Sequence, residues 1–430
     1  MLAVIFAVPE FAYSLLADLG APKGRIETFT EIQLRDADGK RCIPDGAVVV
    51  TRGSKEWKCL VEVKTGTAHL QPEQVVRYLD WARDNGFDAV LTISNEITAS
   101  ASDIPITVDK RKLKRVSLFH LSWWRILTEA IVQHRHRGLS DPDQAWLLGQ
   151  LIAYLDHHKS GASGFQGMGE SWVTVRTAAA NETLRSRDAG ALEVAERWEQ
   201  FVDYVALGLG QDLGRDVVPV RSKRVSSEAR IDETVRRLVE TGELEAALKV
   251  PDAVGNLQLE ANLRTRKVTT SVEIAAPRDG RPKTRINWLL RQLRHAPPDL
   301  RIDVSFVNAR ETSSLLLSEA NETPARLLSG TDPKRPPRTF RVALTRKMGA
   351  KRGKDAGSFV RETRTQAIDF YRDLVQDLRK WQAPVQRREL PSAGRRDRLG
   401  EAEEEVWVVG LLDLVQAGEV GGVVGALPVG

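Results

Sequence analysis

Apolar positions recur at helical spacing over residues 9–19, where Phe11, Leu15, Leu16 and Leu19 share a face and Gly20 marks the stop. Three β-branched, partly alternating runs follow at 26–34, 41–51 and 57–64. Asp38-Gly39 and Gly53-Ser54, dipeptides suited to hairpin turns, separate them. Residues 72–85 are amphipathic, with Val75, Val76, Leu79 and Ala82 on one side, and 89–94 and 116–121 read as short buried strands. The order helix, three strands, helix, strand predicts a compact α/β domain over residues 1–121.

From Ser122 the pattern turns helical, with candidate helices at 123–135, 143–155, 192–207 and 231–248, so residues 122–251 form a mainly helical domain. The stretch 159–169 holds four glycines and neither a strand nor a helix signal; it reads as a loop. Its glycines do not sit between a strand and a helix, which argues against a phosphate loop. A hairpin over 257–275, a helix over 286–293 and a strand over 300–307 suggest a small α+β unit at 252–330. Beyond it the chain is Arg-rich and interrupted by Pro336-Pro337. One amphipathic helix is expected at 358–381, capped by Ser358, with Ile368, Tyr371, Leu374, Leu378 and Trp381 as its stripe.

Charge sharpens this division. The formal net charge is only +5, yet residues 331–400 carry 19 Lys/Arg against 8 Asp/Glu. Residues 401–430 carry 6 acids and no bases, so the first 330 sum to zero. The outline is a neutral body, a basic arm at 331–400 able to hold phosphate by releasing counterions, and an acidic, then Gly/Val-rich tail at 401–430. A solvated basic face is the plainer alternative for the arm. Hydrophobic residues at 42% and charged residues at 28% are those of a globular protein. Two cysteines, Cys42 and Cys59, exclude a disulfide scaffold and suit a reducing cytoplasm. No apolar run is long and clean enough to span a bilayer. Residues 1–21 lack a basic flank and are broken by Pro9 and Glu10, so they read as a buried helix rather than a signal peptide.

Candidate chemistry gathers on the second and third predicted strands. Glu62 and Lys64 project to one side of a strand while Val63 points to the other. A turn centred on Gly53-Ser54 places Asp45 directly across from Glu62, with Cβ atoms within about 5.5 Å. Two carboxylates and an ammonium thus meet at one point of a sheet. With the Val63 carbonyl they offer hard oxygen ligands for Mg²⁺, Mn²⁺ being a plausible substitute, and a cation beside phosphate or water. A structural ion pair on a half-exposed sheet is the bland alternative. Gln74 and Tyr78, at i and i+4, share a face of the next helix.

Pro44-Asp45, then Glu62-Val63-Lys64, then Gln74-Val75-Val76-Arg77-Tyr78 resembles the PD-(D/E)XK nuclease superfamily, the last segment being similar to the Gln-hydrophobic-x-x-Tyr motif of its RecB-like branch. The resemblance covers about residues 9–120, within the N-terminal ~120 residues, and implies a restriction-endonuclease-like core. It further implies that Asp45 and Glu62 bind metal, that Lys64 serves the attacking water, and that Gln74 and Tyr78 steady the site or contact DNA. Many members add an acid from the first helix; Glu10 is the candidate here. Glu31 is a rival, although a two-residue Asp38-Gly39 turn pairs Asp45 with Ile32 and sends Glu31 to the other face, which a longer or bulged turn would reverse.

Among the histidines, the pairs His134/His136 and His157/His158 diverge, and His69 lies close enough to line the site but reads first as a surface residue. Trp123-Trp124 reads as packing at a domain junction. The leading expectation is a Mg²⁺-dependent deoxyribonuclease serving defence or repair. The alternative is a catalytically silent nucleic-acid-binding or sensor protein that keeps the fold. RNA is a more distant substrate. No Walker A or helicase motif is present, so an ATP-driven partner would be a separate chain, and a homodimer is left open.

Overall fold

The computed structural model describes residues 2–35, 41–98, 100–162, 164–222, 224–329, 332 and 334–382. Its first sheet is built from β1 (Arg25–Thr30), β4 (Gly46–Arg52), β5 (Lys55–Val63), β6 (Ala89–Ser94) and β7 (Ser117–Ser122), in the order β1-β4-β5-β6-β7. The strands β2 (Leu34–Arg35) and β3 (Arg41–Cys42) pair with each other alone. β1, β4 and β5 run as an antiparallel meander; β6 and β7 add in parallel. Parallel strands need a crossover, and α3 (Pro72–Asp84) supplies the one between β5 and β6.

Strand alternation gives this sheet two unlike faces. On one, Val48, Val50, Cys59 and Val61 pack against the buried Ile5 of α1 (Leu2–Ala7), the buried Phe11 and Leu15 of α2 (Pro9–Ala17), and α4 (Trp123–Val132) and α5 (Pro142–Asp156). On the other, Ala47 and Leu60 pack against Val75, Tyr78 and Leu79 of α3. α4 and α5 thus belong to the first core, which extends past the expected boundary at residue 121.

A second core lies under a seven-stranded sheet. Its strands are β8 (Val218–Pro219), β9 (Glu243–Lys249), β10 (Leu257–Asn262), β11 (Lys267–Ala275), β12 (Arg301–Phe306), β13 (Thr312–Leu316) and β14 (Pro337–Lys347), ordered β13-β12-β14-β11-β10-β9-β8. Around it stand α6 (Trp172–Ala180), α7 (Ala189–Leu213), α8 (Ser227–Glu240), α9 (Pro282–Gln292), α10 (Leu317–Glu322) and α11 (Phe359–Asp373). This corrects the expected partition: the boundaries at 251 and 330 both fall inside one sheet. Residues 231–248 do not form one helix, because Gly242 takes φ +74° after α8 and the chain re-enters as β9.

The largest correction concerns the basic arm. Within the described residues, 334–382 are an integral part of the second lobe. β14 is hydrogen-bonded on both sides, to β11 and to β12, and Phe340 and Val342 are fully buried. Its arginines hid the alternation: Arg341 is matched across the sheet by Asp303 at 3.2 Å and Glu260 at 3.5 Å. The amphipathic helix is present as α11, capped by the Ser358 hydroxyl accepting from the Arg361 amide, and is shorter than expected; a 3₁₀ turn at Val375–Asp377 follows it. Residues 383–400 of the arm and the tail 401–430 lie outside the described residues. No described helix is long and apolar enough to cross a membrane.

Candidate active site

The β4–β5 hairpin sets the site. Arg52 pairs with Lys55 around Gly53-Ser54, Gly53 takes φ +62°, and the register runs back to Gly46 opposite Val61. Extended by one residue, it brings Asp45 to Glu62. The Asp45 Oδ2 accepts from the amide of Val63 at 2.7 Å, so this carboxylate sits against the Glu62–Val63 peptide. Asp45 is exposed, whereas Glu62 is 3% exposed on the α3 side of the sheet.

Two side chains bond Glu62 and a third holds one of them. The Lys64 ammonium pairs with Glu62 Oε1, and the Gln74 amide donates to that same oxygen at 2.7 Å. The second Gln74 N–H points to the Tyr78 hydroxyl, 3.1 Å away. Helical i, i+4 spacing puts Gln74 and Tyr78 on the sheet-facing side of α3, and burial of Tyr78 against Trp81, ring centroids 5.7 Å apart, fixes the hydroxyl. The five residues singled out in the sequence therefore form one connected polar set. A buried carboxylate needs such company. Lys64→Ala would leave Glu62 with Gln74 alone and is expected to cost about 1–3 kcal/mol of stability. Adding Glu62→Gln should recover most of it. Thermal unfolding of both variants checks this, and an unchanged midpoint in Lys64→Ala would show that Glu62 does not depend on the ammonium.

Glu10 and Glu31 stand apart from this set. Glu10 is exposed on the first turn of α2, a helix packed on the face of the sheet opposite α3. The continuing β1–β4 register, Thr30 opposite Gly46, brings Glu31 rather than Ile32 opposite Asp45. The Glu31 amide reaches the Asp45 carbonyl at 3.3 Å, but Glu31 turns outward at φ +53° and is exposed. The Asp38-Gly39 turn lies outside the described residues. Among the described residues no group of three or more His, Cys, Asp or Glu side chains is placed to hold a metal, so neither acid makes a third with Asp45 and Glu62. What remains is a two-carboxylate set. The bonds above engage one oxygen of each carboxylate, and the donors are hard oxygens of the kind Mg²⁺ takes.

Residues that the sequence did not mark support the site from behind. The Lys64 carbonyl accepts from the Trp123 indole at 2.8 Å, which ties α4 to the end of β5. Asn95 donates to the carbonyls of Gly66 and Gly161, both at 2.9 Å, and the Gly66 amide donates to Gly161 at 2.8 Å. The glycine-rich loop is thus seated on the turn after Lys64. A Cβ on Gly161, at φ +75°, would lie 3.0 Å from the Thr65 Cβ, so glycine is needed there. Trp124 joins the two cores, its ring tilted against that of Tyr204 of α7 with centroids 4.8 Å apart and the Arg364 guanidinium over both rings.

His69 is exposed and meets Glu96 at 3.1 Å; it holds that loop rather than the carboxylate pair. His120 is fully buried in β7, its Nε2 2.8 Å from the Glu96 carbonyl and its Nδ1 3.0 Å from the Thr92 hydroxyl. Burial holds its pKa below the ordinary histidine value. The unfolded chain therefore binds this proton first, so the neutral ring contributes stability above about pH 6.5 that is lost as pH falls below it, by up to about 1.4 kcal/mol per unit. His120→Asn should flatten thermal stability between pH 7.5 and 5.5 relative to the unsubstituted protein; parallel profiles would contradict this. No protein-family model, curated protein or solved structure matches the chain.

Proposed function

We propose that this protein is a metal-dependent nuclease that hydrolyses DNA phosphodiester bonds, with a restriction-endonuclease-like core of the PD-(D/E)XK type in its N-terminal lobe. One observation carries the reading: Asp45, Glu62, Lys64, Gln74 and Tyr78, drawn from the β4–β5 hairpin and α3, are linked by hydrogen bonds through the Val63 amide and the Glu62 carboxylate. Asp45, Glu62 and the Val63 carbonyl would hold Mg²⁺ or Mn²⁺. When bound, such an ion supplies charge stabilisation at the scissile phosphate and a more acidic water.

The chain's own residues do the rest. Gln74, held by Tyr78, fixes the orientation of the Glu62 carboxylate. Lys64 presents an ammonium with three donors beside that carboxylate, where it can hold the attacking water or a phosphate oxygen. The Asp45 bond to Val63 keeps the exposed carboxylate against the same strand end. The order of the first sheet, an antiparallel meander followed by a crossover helix and parallel strands, supports the same family reading.

Plasmid, linear duplex, single-stranded DNA and RNA incubated with Mg²⁺, Mn²⁺ or EDTA test the proposal. Cleavage of DNA with either metal and none with EDTA is expected. Intact substrates under every metal condition would remove the nuclease reading, and cleavage of RNA alone would move the substrate class.

A further inference from the structure

The second lobe carries a group of neighbouring cations that make no ion pair among the described residues. Lys267 and Lys347 are direct partners across β11 and β14, an arrangement that costs stability because like charges face each other. The Arg266 carbonyl accepts from Met348 at 2.8 Å, so Arg266 stands at the same end of this ladder. Arg176 of α6 donates to the Ala350 carbonyl at 3.3 Å. Burial, and then the charge of Arg266, both lower the pKa of its guanidinium.

The chain next makes a tight loop, closed at its base by the Lys351 amide on the Gly357 carbonyl at 2.9 Å, which exposes Lys351, Arg352 and Lys354. Among the described residues, none of these seven cations has a carboxylate within ion-pair distance. The nearest acids in sequence are Asp355 and Glu362, and the Glu362 carboxylate accepts from the Gly357 amide.

The cluster is also close to the carboxylate site. Gly161 packs on Thr65, next to Lys64, and a Cβ added to Gly167 would lie 3.7 Å from the Gly353 Cα, so these two backbones are neighbours. Five residues lie between Gly161 and Gly167, and six Cα steps cap their separation at about 20 Å. Duplex DNA covers that span in about six base steps.

We propose that this ridge, formed by Arg176, the Lys267–Lys347 pair and the Lys351–Lys354 loop, grips the nucleic-acid backbone a few base steps from the Asp45–Glu62 site. Phosphates would supply the counter-charge that the fold withholds, and backbone contacts of this kind fix position without reading sequence. The assignment rests on the nuclease reading for its choice of nucleic acid over other polyanions.

The test is fluorescence anisotropy of a labelled 30-base-pair duplex with the full chain in EDTA, where nothing is cleaved, between 50 and 200 mM salt. The triple variant Lys351→Glu/Arg352→Glu/Lys354→Glu changes only exposed side chains; circular dichroism confirms its fold. Its binding should weaken at least tenfold, and the log–log salt slope should flatten by about 0.9 for each phosphate that is no longer neutralised. Lys110→Glu/Lys114→Glu, on the 3₁₀ turn Lys110–Lys114 of the first lobe, should bind within about threefold of the unsubstituted protein.

Unchanged affinity and slope in the triple variant, a loss confined to the Lys110/Lys114 variant, or no binding by the unsubstituted protein would overturn the ridge. Polyglutamate competing as well as duplex at equal charge would overturn the choice of nucleic acid. A protein that loses binding in the triple variant yet never cleaves with metal keeps the ridge and loses the nuclease reading. One that cleaves, with the triple variant binding normally, keeps the nuclease and loses the ridge.

Discussion

Asp45→Asn and Glu62→Gln should each slow single-turnover cleavage of DNA by at least about a thousandfold, or about 4 kcal/mol of transition-state stabilisation. Both changes keep shape and hydrogen-bond acceptors while removing charge. The asparagine at position 45 retains an oxygen for the Val63 amide, and the glutamine at position 62 retains one for Lys64 and the Gln74 amide. The loss should therefore appear in catalysis, with thermal stability within about 1 kcal/mol of the unsubstituted protein. Removing the Glu62 charge turns the Lys64 ion pair into a hydrogen bond to a neutral acceptor, and the Lys64 side chain, 19% exposed, also reaches water. DNA affinity in EDTA should be unchanged. Unsubstituted rates in either variant would remove the catalytic assignment.

A chain ending at Ser329 should fail to fold its second lobe. It loses β14, the strand between β11 and β12, and with it the hydrogen bonds on both edges. It also loses the buried side chains of Phe340, Val342, Phe359, Val360 and Phe370. At about 1.5–3 kcal/mol for each, that is roughly 8–15 kcal/mol, the size of a whole domain's net stability. Soluble expression and cooperative thermal unfolding are the measurements; a soluble truncated chain with the midpoint of the full protein would contradict the sheet order. The same arithmetic makes deletion after residue 330 unsuitable for asking whether the Arg-rich segment binds DNA. Point charge reversal on the 351–354 loop asks that question without dismantling the core.

The first lobe was legible because its signals are local. Gly53-Ser54 fixes a two-residue turn, and strand periodicity then places Asp45 against the Glu62–Val63 peptide and Leu60 and Glu62 on one face. Helical spacing does the same for Gln74 and Tyr78. The Glu31 register was not legible, because a turn centred on Asp38-Gly39 would pair Asp45 with Ile32, whereas the strands pair Thr30 with Gly46 and Arg35 with Arg41.

In the second lobe the informative contacts are far apart in sequence. β14 pairs with strands about 40 and 70 residues earlier, and its alternation is masked by arginines whose partners, Asp303 and Glu260, lie on other strands. α6 escaped notice because Val173, Thr174, Val175 and Thr177 are β-branched; the burial of Trp172 and Val175 overrides that preference. Leu244 and Leu248 fit helical and strand periods alike, and the left-handed Gly242 decides between them. Net charge over residues 331–400 said nothing about which cations were already paired.

A Mn²⁺-soaked crystal measured at a wavelength where manganese scatters anomalously locates the metal by itself. The expected result is an anomalous peak about 2.1 Å from oxygens of Asp45, Glu62 and the Val63 carbonyl, absent from Glu62→Gln crystals soaked in the same way. A peak elsewhere in the chain, or none at that carboxylate pair while the same protein cleaves DNA with Mn²⁺, would contradict the site.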